Sequence, residues 1–146
     1  MAVSNSSHPT LVLGSTSRYR QELLSRLRLP FVCRAPEVGE SALPGELPAA
    51  LATRLALAKA EAVARAMQAP TQQQDIVVVG SDQVADLNGV AIGKPGGHRQ
   101  ALAQLQAMRG QTVAFHTAVA VVRPATQFSR VESSLVRATF RADISD

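Results

Sequence analysis

Apolar and polar positions divide this 146-residue chain into short apolar runs and longer stretches of helical period. Residues 10–13 predict a strand. Gly14-Ser15-Thr16-Ser17 follows, then a helix to about Leu29 with Leu23, Leu24 and Leu27 as its apolar stripe and Pro30 as its stop. Residues 31–34 predict a second strand, and 35–48, rich in Pro, Gly and Glu, a loop. A long Ala-rich helix is expected from about Pro48 to Met67, with Leu51, Leu55, Ala58, Ala62 and Ala66 on one face. Beyond a polar connection at 69–74, the run Asp75-Ile76-Val77-Val78-Val79-Gly80-Ser81-Asp82-Gln83 reads as a strand buried on both faces, delivering Asp82 at its C-terminal end. Asn88-Gly89 is a two-residue turn signal between 84–87 and 90–92. That hairpin sets Leu87 opposite Val90 and, counting outward, Gln83 opposite Lys94. Gly96-Gly97 opens a third helix over 98–108, closed by Gly110. Residues 112–115, 117–122 and 131–140 are further strand candidates. The order predicts one α/β domain, a mixed β-sheet flanked by helices.

Composition narrows the class. Hydrophobic residues make up 46% of the chain and aromatics 3%, so the core falls to Leu, Val and Ala. No apolar stretch approaches the roughly 20 residues that span a bilayer. Residues 1–9 are polar, resemble no secretory signal and are expected to form a disordered leader to a domain over 10–146. Cys33 is the single cysteine and is expected in the core, which with the absence of an internal disulfide suits the cytoplasm. The net charge is +4, but the basic residues are scattered and not interleaved with aromatics, which argues against nucleic acid and fits a polyanionic small molecule such as a nucleotide. Only Lys59 and Lys94 are lysines. A chain that otherwise uses Arg for surface charge keeps Lys where a compact ammonium is wanted.

Four places could carry chemistry. Gly14 to Arg20 is a strand-to-helix turn with three Ser/Thr hydroxyls and two guanidinium groups, suited to phosphate at a helix N-terminus. Taken alone it reads more readily as an ordinary Ser/Thr N-cap with solvated arginines, and it lacks the lysine pattern of a P-loop. Glu37-Val38-Gly39-Glu40 offers loop carboxylates for a hard divalent cation, or simply solvated acids. Lys59 stands at the border of its helix's apolar stripe, where an exposed lysine is the usual case. Asp82, Gln83 and Lys94 converge at one rim if the hairpin register is right. His116 is expected to be a hydrogen-bonded, partly buried histidine at a strand bend. His8 and His98 lack companions at metal-ligand spacing, which argues against zinc. No Gly-x-Ser-x-Gly elbow is present.

These residues carry a resemblance. The segment from Leu11 to Leu24, with Pro36-Glu37-Val38-Gly39-Glu40, Leu57-Ala58-Lys59-Ala60, Gly80-Ser81-Asp82-Gln83-Val84, Gly93-Lys94-Pro95 and Val113-Ala114-Phe115-His116-Thr117, resembles the Maf family of nucleoside triphosphate pyrophosphatases in order and spacing. The Ser-Asp-Gln block with Tyr19 resembles the branch acting on 7-methyl-GTP. The branch acting on dTTP and UTP has Thr at the position of Gln83.

The resemblance implies a Maf/ITPase-like fold and a set of roles. Asp82 matches the proton acceptor for the water that attacks the α-phosphorus. Ser15, Arg20, Lys59 and Lys94 match residues holding the triphosphate. Glu40 matches an acid that holds a divalent metal, Mg2+ or Mn2+, together with Asp82. Tyr19 and Gln83 match positions tied to base selectivity, and a ring face suits a cationic methylated guanine. Two departures accompany this. Gly39 replaces the family's Asp before Glu40, and the chain ends at Asp146 where family members continue, which predicts a C-terminally truncated domain. A truncated product, a compensating homodimer and a chain of low activity all stay open, as does a nucleotide-binding protein without turnover.

Overall fold

The β-branched runs near the start and middle of the chain pair side by side. β1 (Thr10–Leu13) runs parallel to β3 (Ile76–Leu87), with Leu13 beside Val79. On the other side β1 pairs in parallel with the two-residue β2 (Val32–Cys33). These relationships come from a computed structural model, which describes residues 8–68, 74–92 and 97–142. The parallel strands are linked through α1 (Arg18–Ser25) and α2 (Pro48–Met67), as parallel pairing requires. β3 then turns back antiparallel into β4 (Val90–Ile92) and also pairs antiparallel with β5 (Thr112–Arg123), beyond which lies β6 (Phe128–Thr139). The path β2-β1-β3-β5-β6, with β4 on β3, makes one mixed six-stranded sheet in a single α/β domain. α3 (His98–Met108) connects the hairpin to β5.

The core lies between α2 and one sheet face. Leu51, Ala52, Leu55, Ala56, Ala60, Val63 and Ala64 are buried against Ile76, Val78 and Val84 of β3 and Ala118, Ala120 and Val122 of β5. Alanine dominates this helix face because the backbones come close. A Cβ on Gly80 would overlap the Ala56 carbonyl oxygen and stand 2.7 Å from the Ala60 nitrogen. The buried stripe is therefore rotated from the expected one. Ala58 and Ala62 are only half-buried and Ala66 is exposed, whereas Lys59 falls inside the stripe.

Several expectations are corrected. The strand carrying Asp82 does not end there but continues to Leu87, because the hairpin and the buried strand are one element. β5 passes through His116 without the expected bend, paired on both sides, and β6 begins at Phe128. α1 stops at Ser25, whose hydroxyl donates to the Glu22 carbonyl at 2.6 Å, and the chain turns at Arg28 with φ 58°. Its expected apolar stripe is not buried: Leu23 is 40% exposed and Leu27 60%. Cys33, on the short β2, is half-buried and outside the core cluster. The Asn88-Gly89 turn is as predicted. Both residues have positive φ, 55° and 86°, as a type I′ turn demands, and Leu87 pairs with Val90. Among the described residues no helix is long and apolar enough to cross a membrane.

Candidate active site

The close approach of α2 to β3 at Gly80 brings Lys59 down onto the next residue of the strand on the same face, Asp82. The ammonium Nζ lies 2.9 Å from Asp82 Oδ1, and both residues are only 6% exposed. Glu40, reaching in from the 35–47 loop, places Oε1 3.6 Å from the same Nζ. A single cation thus faces two carboxylates, one buried and one largely exposed. On the opposite face of β3 the Ser81 hydroxyl donates to the Ala118 carbonyl at 3.0 Å, which pins the strand at this point.

The pair lines a cleft of about 740 Å³. Its lining includes the turn from β1 into α1. There the buried Ser15 Oγ accepts the Ser17 amide at 3.0 Å, and Ser17 Oγ caps the helix by accepting the Arg20 amide at 3.2 Å. Gly14 is tightly flanked, since a Cβ there would stand 3.2 Å from Val63 Cγ2. Arg20 is half-buried and lines the same cleft. Leu51, Leu55, Val84, Ala91 and Ile92 give the lining its apolar part. The cleft thus combines hydroxyls, a guanidinium, an ammonium–carboxylate pair and apolar side chains, a set suited to a phosphate ester with an organic group.

Of the residues singled out in the sequence, Ser15, Arg20, Glu40, Lys59, Asp82 and Gln83 all border this cleft. Gln83 differs in orientation from the expectation. Successive strand residues point to opposite faces, and its amide Nε2 donates to Thr117 Oγ1 on β5 at 2.9 Å. Tyr19 is 70% exposed and does not line the cleft; its neighbour Arg20 does, while Arg18 on its other side is exposed as well. Glu37 borders a separate, smaller cavity of about 320 Å³ with Arg34 and Arg65. Lys94 lies outside the described residues; the ladder is described as far as Ala85 opposite Ile92.

Two supporting groups escaped sequence reasoning. Arg54 on α2 grips Glu46 with two bonds, Nε to Oε2 at 2.7 Å and a terminal nitrogen to Oε1 at 2.9 Å, and also donates to the Ser41 carbonyl at 3.0 Å. Glu46 in turn accepts the Leu43 amide at 2.9 Å. The loop that carries Glu40 is thereby tied to the helix that carries Lys59. Arg54 holds the Glu46 carboxyl below the usual carboxylate range, assisted by the Leu43 amide. The second group is Asp86 with His116, joined by a 3.0 Å contact between Oδ2 and Nε2. The histidine's hydrogen bond is as expected, but its partner is visible only once β3 and β5 are in register.

Among the described residues no cluster of three or more His, Cys, Asp or Glu forms a metal cage. The donors nonetheless fit a hard divalent ion. Magnesium is commonly held by one or two carboxylates with substrate phosphates completing its shell, and Asp82 and Glu40 already converge on one cation.

The family model described as Maf-like protein matches residues 10–146. The chain belongs to this family. Its blocks, from Gly14 to Arg20 through Lys59 and Gly80 to Val84, are the segments that build the cleft. It is similar to a 7-methyl-GTP pyrophosphatase of Polaromonas sp., 58% identical over 140 residues, covering 96% of this chain and 61% of that protein. A protein of the same name from Albidiferax ferrireducens is 57% identical over 90% of this chain and 63% of its own length. Another, from Burkholderia thailandensis, is 52% identical over 93% and 62%. The chain spans about three fifths of the length of these curated relatives.

Proposed function

We propose that this protein is a nucleoside triphosphate pyrophosphatase that hydrolyses 7-methyl-GTP to the monophosphate and pyrophosphate. The observation carrying this reading is the buried Lys59–Asp82 pair in the lining of a cleft that Ser15 and Arg20 also border. The names of relatives at 52–58% identity supply the substrate.

In this mechanism Ser15, Arg20 and Lys59 hold the triphosphate, and Lys94 is assigned the same task by resemblance. Lys59 engages Asp82 through Oδ1. Asp82 takes a proton from a water as the water oxygen bonds to the α-phosphorus. The bond from that phosphorus to the bridging oxygen breaks and pyrophosphate leaves with the electron pair. Arg20 and Lys59 stabilise the charge that builds on the phosphoryl oxygens, the usual main source of acceleration in such reactions. Glu40 and Asp82 would hold a divalent metal, which when bound neutralises the leaving pyrophosphate. Leu51, Leu55, Val84, Ala91 and Ile92 offer the apolar surface for the nucleoside. Gln83 and Tyr19 are assigned to base selectivity, with the exposed Tyr19 ring suited to the cationic methylated guanine. We place the reaction in the cytoplasm. It requires a nucleotide and a divalent cation and no nucleic acid or membrane.

The test is pyrophosphate release from 7-methyl-GTP, GTP, dTTP and UTP with Mg2+, for the protein and for Asp82→Asn. Preferred release from 7-methyl-GTP, lost in the variant while binding persists, is the expected result. Binding without release in either protein would leave a non-catalytic nucleotide-binding protein.

A further inference from the structure

The Asp86–His116 pair lies outside the cleft lining, yet it is attached to one of the cleft walls. Asp86 uses both carboxylate oxygens. Oδ1 accepts the Gly89 amide at 2.7 Å, closing the hairpin turn, and Oδ2 meets His116 Nε2 at 3.0 Å. Both side chains are less than one-fifth exposed. His116 sits opposite Val84 and, by the two-residue period of a strand, shares the face of Ala118 and Ala120 under α2. It is therefore anchored in the rigid part of the sheet. β3 is itself held to β5 as far as Asp86, opposite Ala114. β4 is the less supported strand: among the described residues it has three and pairs only with β3, at the sheet's edge. Ala91, directly opposite Asp86, and Ile92 are β4's share of the apolar lining of the cleft, beside Leu51, Leu55 and Val84.

We infer that His116 and Asp86 are positioning residues that hold the β4 wall against the nucleoside end of the substrate. Resting on the proposed function, this inference deepens it by dividing the site in two. The phosphate end, built on α1 and α2, has its own supports in Ser17 and Arg54. On the apolar side Leu51, Leu55 and Val84 belong to the core, while β4 has only its short ladder to β3 and the Asp86 bonds to Gly89 and His116 behind it. Loosening the His116–Asp86 link weakens binding of the nucleoside and leaves the phosphoryl chemistry alone.

The test compares His116→Ala, Asp86→Ala and His116→Gln with the unaltered protein. Loss of one partly buried hydrogen bond predicts that KM for 7-methyl-GTP rises about fivefold in both alanine variants while kcat holds. His116→Gln, which can still donate to Asp86, restores KM. Inhibition by inorganic tripolyphosphate, which has no nucleoside, stays unchanged throughout. Amide hydrogen exchange over 84–92 accelerates in the alanine variants, with other core strands unaffected. Equal weakening of tripolyphosphate, a fall in kcat at constant KM, or unchanged exchange over 84–92 would overturn the inference. If the unaltered protein releases pyrophosphate from no nucleotide, the proposed function has failed. The exchange measurement then still decides whether the pair holds the hairpin.

Discussion

β3 meets two aspartate–cation pairs, one just before it begins and one halfway along, in very different surroundings. At the start, Asp75 receives two bonds from Arg123 of β5, at 3.0 and 2.8 Å, with side chains 44% and 35% exposed. Halfway along, Asp82 meets Lys59 through one contact of 2.9 Å, both side chains 8% exposed. The fork of the first pair is the better geometry. The second matters more, because a buried charge stripped of its partner has no water to turn to, whereas an exposed one does. Solvent, not the count of hydrogen bonds, separates a clamp from a site.

The largest effect that would sharpen this contrast is catalytic. With Asp82 as the proposed general base, Asp82→Asn is expected to lower kcat/KM for the proposed substrate 7-methyl-GTP by about 10²–10⁴-fold, while Asp75→Asn leaves it unchanged. Steady-state pyrophosphate release measures both, and equal losses would erase the distinction. Next is stability. Lys59→Met strands Asp82 and is expected to cost about 3–5 kcal/mol in urea denaturation, whereas Lys59→Met with Asp82→Leu recovers most of it. A double variant as unstable as the single one would show that packing, not charge, was lost.

Gly80→Ala comes after these. Its methyl would collide with Ala56 and Ala60, and overpacking of this kind costs about 1–3 kcal/mol. By lifting α2 from β3 it should also reduce activity, although Gly80 touches no substrate group in the proposed mechanism. Thermal denaturation beside kinetics checks the two together. Smallest is the pH response of the exposed pair. Hydrogen bonds from Arg123 lower the Asp75 pKa in the folded protein, as Arg54 does for Glu46. The unfolded chain then binds more protons across that window, so the stabilisation is full above the ordinary carboxylate pKa and is lost as pH falls through the lowered one. Asp75→Asn should therefore lower stability slightly at neutral pH and by less as pH falls, which flattens part of the acid limb of a stability–pH curve. An unchanged acid limb would mean the fork contributes nothing.

Much of this was legible in the chain. The helix over 48–67 and the helix over 98–108 appear with the expected ends, and the Asn88-Gly89 turn sets the predicted register. These signals are local: a proline at a helix start, a glycine past a helix end, two residues that tolerate positive φ. The divided reading of β5 failed because polar residues such as His116 and Thr117 interrupt an apolar run, and only pairing with β3 and β6 shows that the strand continues. The helix α1 was read too long because Leu27 continues the apolar stripe beyond the last helical residue. Local pattern cannot tell a stripe that is buried from one that is not.

The site divides in the same way. By residue types and spacing alone, the sequence determined that Asp82 sits on a buried strand, that Lys59 belongs to a helix and that Ser15 to Arg20 span a strand-to-helix turn. Tertiary structure alone decided which of them meet. Lys59 reads as a border residue until Gly80 lets α2 settle onto β3 and turns the ammonium onto Asp82. Gln83 reads as Asp82's neighbour until strand alternation ties it to Thr117. Asp86 finds His116 thirty residues away only through the β3–β5 register. Short-range preference can fix a backbone, but a charge pair across elements exists only where packing has excluded water and set the distance.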